Sequence, residues 1–306
     1  MFNRSIKTGI VPDDFKVAKI IPLYKGKDSG SQFEYTNYRP ISLLQSMSKV
    51  LEKLVDWQLR IFLSSEDTLY NKQFGFRGLG GCDQALLLLT DFAKTKLLLN
   101  LKVLAVFLDL KTAFDTVNHK ILIEKLKLYG IKGTELAWFR NYLFNRQQLV
   151  QLPSGEVSEL RTVNIGVPQG SVLGPLLFLL YMNDLAFCVP DFYTILFADD
   201  TSLSLSGQNY DLLLLQFNSL LSKVTSWFKT NLLSLNVSKT KFILFKNPRE
   251  DTNHGKVVMD SQDVLRVGKG QKMETYKYSG ILVGEDLTFN EHISPIKGRL
   301  YQLHLC

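Results

Sequence analysis

Two adjacent aspartates, Asp199 and Asp200, stand in ILFADDTSLSLS (195–206), where an apolar segment gives way to alternating Ser and Leu. A third, Asp109, closes the apolar part of VLAVFLDL (103–110). A carboxylate at the end of a buried strand loses hydration, so it must be paired, protonated or bound to metal. If two such strand ends converge, their repulsion demands a cation more strongly than either charge alone. Mg²⁺ suits that place, because it keeps several waters and takes one or two carboxylates together with substrate phosphates. Two such ions can activate an attacking hydroxyl and stabilise the leaving oxygen of an in-line phosphoryl displacement. Adjacent aspartates in a turn have a plainer explanation too, since Asp tolerates turn geometry and solvates easily. Spacing along the chain leaves both readings open.

Periodicity shows which elements would carry these residues. The run before Asp109 is rich in Val, Phe and Ala and predicts a central strand covered on both faces. Tyr193 to Phe197 and Ser202 to Ser206 both predict strands, which places Asp199 and Asp200 together in a hairpin turn. NHKILIEKLKLYG (118–130) predicts a helix with Asn118 as N-cap and Gly130 as stop. Within 37–63, a turn-like NYRP leads into Val50, Leu51, Leu54, Val55 and Leu59 at helical spacing. A Leu-rich helix is expected from Asp83 to about Leu98, and another with Gly174-Pro175 in its first turn. Helices and strands in this mixed order indicate an α+β protein rather than a doubly wound one.

The totals set bounds on this. A chain of 306 residues can bury one large core or two modest ones, and 45% hydrophobic with 21% charged content excludes wholesale disorder. A net charge of +7 suits a polyanionic partner, and equally a merely soluble basic surface. Cys82, Cys188 and Cys306 are far apart with neither a CxxC nor a paired His, which argues against a zinc site or disulfide framework. MFNRSIKTGIVPDDFK lacks the apolar core of a signal peptide. Val172 to Met182 is uncharged but far short of the ~20 residues a bilayer span needs, so a buried helix is expected there. The expectation is an intracellular protein, in cytoplasm or nucleus, without a membrane partner.

Several words of the sequence occur in a telling order. FLDLKTAFDTV (107–117), GVPQGSVLGPLLF (166–178), LFADDT (196–201) and LNVSKTK (235–241) resemble reverse transcriptase motifs A, B, C and D. NYRPISLL (37–44) and QFGFR (73–77) resemble fingers segments of that family, and YKYSGILVGEDLTFNEHI (276–293) its primer-grip region. Nearly all of the chain resembles the reverse transcriptase domain of a non-LTR, jockey-like retrotransposon.

The resemblance implies a right-hand polymerase. Fingers would span roughly 1–100, and a palm with a mixed or antiparallel sheet flanked by helices roughly 101–290. The start of a truncated thumb would follow at 291–306. The implied activity is RNA-directed DNA synthesis on an RNA template from a DNA primer and dNTP. Two Mg²⁺ ions would serve it, with Mn²⁺ as substitute, and the remainder of a longer retroelement polyprotein would be a further partner. Asp109 and Asp199 would be the main metal ligands, with Asp200 nearer to an electrostatic support. Phe114 would abut the sugar of the incoming nucleotide and exclude a 2′-hydroxyl; the plainer reading is one more core aromatic. Gln169 and Gly170 would contact nucleotide and template, in a stretch whose glycines permit close backbone approach. Lys239 would donate a proton to the leaving pyrophosphate, the plainer reading being a solvated lysine. Arg77 and Arg39 would grip triphosphate or template phosphate, a task suited to the planar guanidinium. The sequence departs from the family pattern at GLGGCDQ (78–84), NLL (231–233) and Ser279, and shows neither an endonuclease domain nor a terminal Cys/His cluster. These departures motivate a reading of another class, a retroelement remnant that binds nucleic acid and catalyses nothing.

Overall fold

The structure, a computed structural model, describes residues 1–26, 33–78, 80–247, 255–278 and 280–303, the last six of these by backbone alone. Ser279, Cys306 and Leu79 of GLGGCDQ lie outside the described residues. The first elements in chain order are α1 (Phe2–Thr8), β1 (Val17–Tyr24), β2 (Tyr38–Leu43), α2 (Ser46–Ser65), α3 (Cys82–Leu98) and β3 (Lys102–Leu108). Next come α4 (His119–Leu128), α5 (Gly133–Leu143), β4 (Arg146–Val150), β5 (Arg161–Val163), α6 (Leu173–Met182), α7 (Leu185–Cys188), β6 (Tyr193–Phe197) and β7 (Asp200–Gly207). After them follow α8 (Tyr210–Thr230), β8 (Lys241–Phe245), β9 (Val258–Met259), β10 (Gln262–Asp263), β11 (Leu265–Val267), β12 (Thr275–Tyr278), β13 (Ile281–Gly284) and α9 (Asn290–Leu303).

These elements form two compact units, one from Met1–Leu69 and Thr112–Asn183, the other from Tyr70–Lys111 and Asp184–Cys306. The first unit holds a four-stranded sheet in the order β2-β1-β4-β5. Of NYRP, expected as a turn, only Asn37 lies in one, a 3-10 turn over Tyr35–Asn37; Tyr38 to Pro40 open edge strand β2, with Pro40 opposite Pro22 of β1. Both prolines are tolerated because neither needs to donate outward: β2 is the edge, and β1 pairs with β4 only over Val17–Ile20. Helix α2 buries Leu51, Val55, Leu59 and Leu63 at four-residue spacing. Helix α4 is capped as expected, Asn118 Oδ1 accepting from Ile121 N at 3.1 Å, and Gly130 ends it with φ of 93°. Helix α6 is buried almost all round, which is why its sequence shows no polar face.

The second unit is built on a five-stranded sheet in the order β11-β8-β3-β7-β6. Strand β3 lies at its centre, antiparallel to β7 and β8, while β11 runs parallel to β8. Val103 to Leu108 are all buried, so the near-continuous apolar run is a strand covered on both faces. Val103, Ala105 and Phe107 pack in one cluster with Ala85, Leu89 and Ala93 of α3 and with Tyr278 and Val283 of the β12–β13 hairpin. Helix α8 packs against β3 and β7. The architecture is α+β, with one mixed five-stranded sheet and antiparallel hairpins. Among the described residues no helix is long and apolar enough to cross a membrane.

One local expectation needs correction. Asp199 and Asp200 do not share the hairpin turn: Asp200 opens β7 opposite Phe197, which leaves Ala198 and Asp199 as a two-residue connection. Ala198 takes φ of 56°, the positive first corner that the tightest hairpins require. Asp200 thereby gains ladder pairing that a turn residue would forgo.

Candidate active site

The second unit carries the acidic residues. Phe107 pairs with Ser202 and Leu108 with Thr201, the last pair of the ladder, so Asp109 and Asp200 follow directly at the same end of β3 and β7. Opposed residues in an antiparallel pair project from one face, so both carboxylates belong to the face that carries Phe107. Asp199 stands beside them at the same end of the sheet, in the β6–β7 turn. Tyr276 stacks on Phe107 with ring centroids 4.7 Å apart, and Asp200 and Asp109 both add to the burial that raises its phenol pKa. The Tyr278 phenol is pushed up to about 12 by burial, with the Asp200 charge adding to it and a hydrogen bond with Ser202 opposing it.

Asp109 is held by LNVSKTK. Its backbone N–H donates to Thr240 Oγ1 at 3.3 Å, and its carbonyl accepts from Asn236 N at 2.8 Å. Asn236 also hydrogen-bonds the Asp109 carboxylate with its side chain, while its own carbonyl accepts from Lys239 N at 3.1 Å and Thr240 N at 2.9 Å. The loop is therefore wound about Asn236 and zipped to the chain next to Asp109, where Lys111 N donates to Ser234 O at 2.9 Å. Burial raises the Asp109 pKa; the charges of Lys239 and Lys241 and the Asn236 hydrogen bond only partly offset that. The sequence picked Lys239 and missed Asn236, although Asn236 lies inside a quoted word.

QFGFR braces the acidic turn. Phe74 N donates to Leu196 O at 2.8 Å and Leu196 N to Lys72 O at 2.9 Å, so the segment runs beside β6 as a short parallel bridge. Gln73, only 2% exposed, accepts with Oε1 from Gly75 N at 2.9 Å and from Ala198 N at 3.2 Å. Gly75 lies so close that a Cβ there would sit 2.2 Å from Ala198 N. Arg77 donates from Nη1 to Tyr70 O at 3.1 Å and Gln73 O at 3.4 Å, which fastens the same segment.

The donor set is all carboxylate, the hard oxygen chemistry that Mg²⁺ or Mn²⁺ takes, and a raised Asp109 is a desolvated anion short of positive charge. The residues fit such an ion in type and in their common end of the sheet. Among the described residues, however, no three His, Cys, Asp or Glu side chains are close enough together to hold a metal. Like charges on separate backbone segments are brought to one edge here without closing into a cluster.

The first unit carries the remaining residues. Phe114, in a 3-10 turn over Ala113–Thr116, stacks on Phe178 of α6 with centroids 4.7 Å apart, and its carbonyl accepts from Val167 N at 2.8 Å. Gln169 Nε2 donates to both Asp115 carboxylate oxygens at 3.1 Å, and its carbonyl accepts from Ser42 N at 2.7 Å. Burial raises Asp115, against the Gln169 hydrogen bond and the Lys25 charge. Gly170 has φ of 122° and no room for a Cβ, which would lie 2.5 Å from Ser42 O. Asp115, Ser42, Gln169, Gly166 and Arg146 line a cavity of about 340 Å³. Arg39 is an exposed residue of β2. The start of α6 is held by Glu52 of α2, 1% exposed, which accepts from Val172 N at 2.7 Å, Leu173 N at 3.2 Å and Tyr142 Oη at 3.1 Å. Asp115, Gln73 and Glu52 escaped the sequence reading; Glu52 left one signal, a charge beside Leu51 and Val55 on the apolar side of its helix.

Comparison with known proteins accords with this architecture. A structure of apo telomerase from Candida tropicalis, truncated from its C-terminal domain, matches with a TM-score of 0.54 over 83% of this chain and 54% of that one. At 14% identity, that likeness concerns the fold alone. The chain is 31% identical to a probable RNA-directed DNA polymerase from transposon BS of Drosophila melanogaster, over 99% of its length and 33% of the relative's. It is 28% identical to the RNA-directed DNA polymerase from mobile element jockey of the same fly, over 97% of its length and 32% of the relative's. The chain thus spans about a third of these relatives. Residues 25–283 match the family described as reverse transcriptase (RNA-dependent DNA polymerase). The chain belongs to the reverse transcriptase family, as a domain of the non-LTR retrotransposon kind.

Proposed function

We propose that this chain performs RNA-directed DNA synthesis, extending a DNA primer on an RNA template with dNTPs. The observation that supports the reading is the β3–β7 register, which ends at Leu108 and Thr201 so that Asp109 and Asp200 follow at one end of the sheet, with Asp199 in the adjoining turn and the Lys239 loop fastened to Asp109. In the reaction the primer 3′-hydroxyl oxygen bonds to the α-phosphorus, the bond to pyrophosphate breaks, and the hydroxyl proton is lost. Asp109 and Asp199 would hold two Mg²⁺ ions, or Mn²⁺ in their place, whose charge would stabilise the attacking and leaving oxygens. Asp200 adds negative potential at the same sheet end, and Lys239 supplies a proton to pyrophosphate. Phe114 restricts the sugar, while Gln169 and Gly170 shape the nucleotide and template contact. Arg39 contributes to phosphate binding, and Arg77 does so through the nitrogens not spent on loop carbonyls. By role in holding substrate, the fingers comprise roughly 1–100, the palm roughly 101–290, and 291–306 opens the thumb; the compact units describe packing instead. The relatives' greater length makes the rest of a longer polyprotein a further partner.

Primer extension on an RNA template tests the proposal. Asp199→Ala is expected to lower the rate on the order of 10³-fold or more, as removal of preorganised charge stabilisation does. Synthesis that survives the substitution defeats it.

A further inference from the structure

Helix α2 carries more apolar surface than its own unit uses. While Leu51, Val55, Leu59 and Leu63 are buried, Met47, Val50, Leu54, Trp57 and Ile61 point outward and remain 49%, 46%, 39%, 62% and 53% exposed. Their spacing of three, four, three and four residues is that of a two-stranded helical seam, in which 47, 54 and 61 occupy one core position and 50 and 57 the other. Scattered exposed apolar residues are ordinary, but a continuous stripe along one helix marks an interaction surface. The two borders of this stripe differ. On one side lie the exposed Lys53, the half-buried Lys49, and Arg60, which pairs with Asp56 of the same border at 2.8 Å, so the border keeps a net positive charge carried by the two lysines. On the other, Gln58 and Phe62 lead into an apolar pocket of about 490 Å³ walled by Ile6, Ile131, Trp138 and Phe139.

We propose that the solvent face of α2 docks an amphipathic helix that carries acidic residues along one flank. The heptad spacing supplies the seam, the pocket receives a bulky apolar side chain from the partner, and the cationic border selects the charge of its flank. A second copy of this chain is the poorer occupant. In an antiparallel pair of α2 helices, Lys53 and Arg60 would meet each other, and in a parallel pair they would face Leu51 and Gln58, which carry no charge. An anionic membrane is poorer as well, because one border of the stripe opens into an apolar pocket shaped for an inserted side chain rather than a flat lipid interface.

The test uses the full chain and two synthetic helical peptides of about three heptads with identical apolar core positions. One peptide has glutamate and the other lysine at the flanking positions. Calorimetric titration is expected to show the glutamate peptide binding about tenfold or more tighter, with the advantage shrinking as salt rises. Leu54→Glu and, separately, Ile61→Lys should abolish binding while the circular dichroism spectrum is unchanged. Absence of binding by both peptides, or equal affinity for the two, overturns the proposal. So does tighter association with anionic phospholipid vesicles, or a concentration-dependent dimer that Leu54→Glu dissolves. No outcome depends on catalysis, so failure here is distinct from failure of the polymerase reading.

Discussion

At the scale of single residues, chemistry was legible where residue type alone restricts the options, and illegible where a partner decides. Asp109 could be singled out because a carboxylate closing a buried strand is expensive. Gln73 could not, because its importance comes from the Ala198 N–H, far away along the chain. The cost of Asp109 is measurable. Burial raises its pKa above the ordinary 3.8 despite Lys239, Lys241 and Asn236. A group whose folded-state pKa is raised favours the folded state while protonated, and that contribution is lost as pH rises through the folded value. Ionised Asp109 is therefore a burden at neutral pH, carried for function. Asp109→Asn should raise the melting temperature at pH 7 and abolish primer extension, and its stability advantage should vanish below the ordinary carboxylate range. An unchanged or lowered melting temperature at pH 7 contradicts this account. Phe114 offers a second case. If its ring, steadied by Phe178, excludes a 2′-hydroxyl, Phe114→Val should raise ribonucleotide incorporation relative to deoxynucleotide by about 10²-fold, and competition between dATP and ATP in single-nucleotide extension measures it.

At the scale of elements, periodicity located the helices and central strands, since burial on one face or on both writes a pattern into the chain. It failed at β2, whose Pro40 reads as a turn until pairing with β1 is known, and at the acidic hairpin, whose turn is two residues shorter than the words suggest. Both misses are matters of strand register, which long-range pairing determines. The hairpin shows what the register achieves: Ala198 is kept at a positive φ, with its N–H bound by Gln73 and Gly75 pressed against it. Such a backbone persists only when its surroundings over-determine it. Gly75→Ala puts a methyl group 2.2 Å from Ala198 N, so either the QFGFR segment or the turn must move. The expected cost is about 1–3 kcal/mol, the range for overpacking. A loss of extension rate should accompany it, since Asp199 follows Ala198. Thermal denaturation together with the extension rate checks both parts, and an unaltered rate in a folded variant would show that the brace does not position the turn.

At the scale of the whole molecule, composition announced a basic protein but not what its charge serves. A net charge of +7 is compatible with any soluble basic surface, and the division into units drawn from alternating chain segments leaves no mark on local sequence. Family membership turns the charge into a quantitative expectation. A chain that neutralises phosphates releases condensed counterions, so the logarithm of its affinity falls linearly with the logarithm of salt concentration, at a slope near −0.9 per phosphate contact on a duplex. Binding to an RNA–DNA primer–template should therefore weaken steeply with added salt. Exposed Arg39 allows the charge to be apportioned. If it contacts a phosphate, Arg39→Ala should reduce the magnitude of the salt slope by about one and weaken binding uniformly across template sequences. If its guanidinium instead reads a base, the slope should barely change while affinity drops on some templates and not on others. Fluorescence anisotropy over a salt series, with two templates of unrelated sequence, separates these outcomes; an affinity of the unsubstituted chain that ignores salt would show that its positive charge has no part in holding nucleic acid.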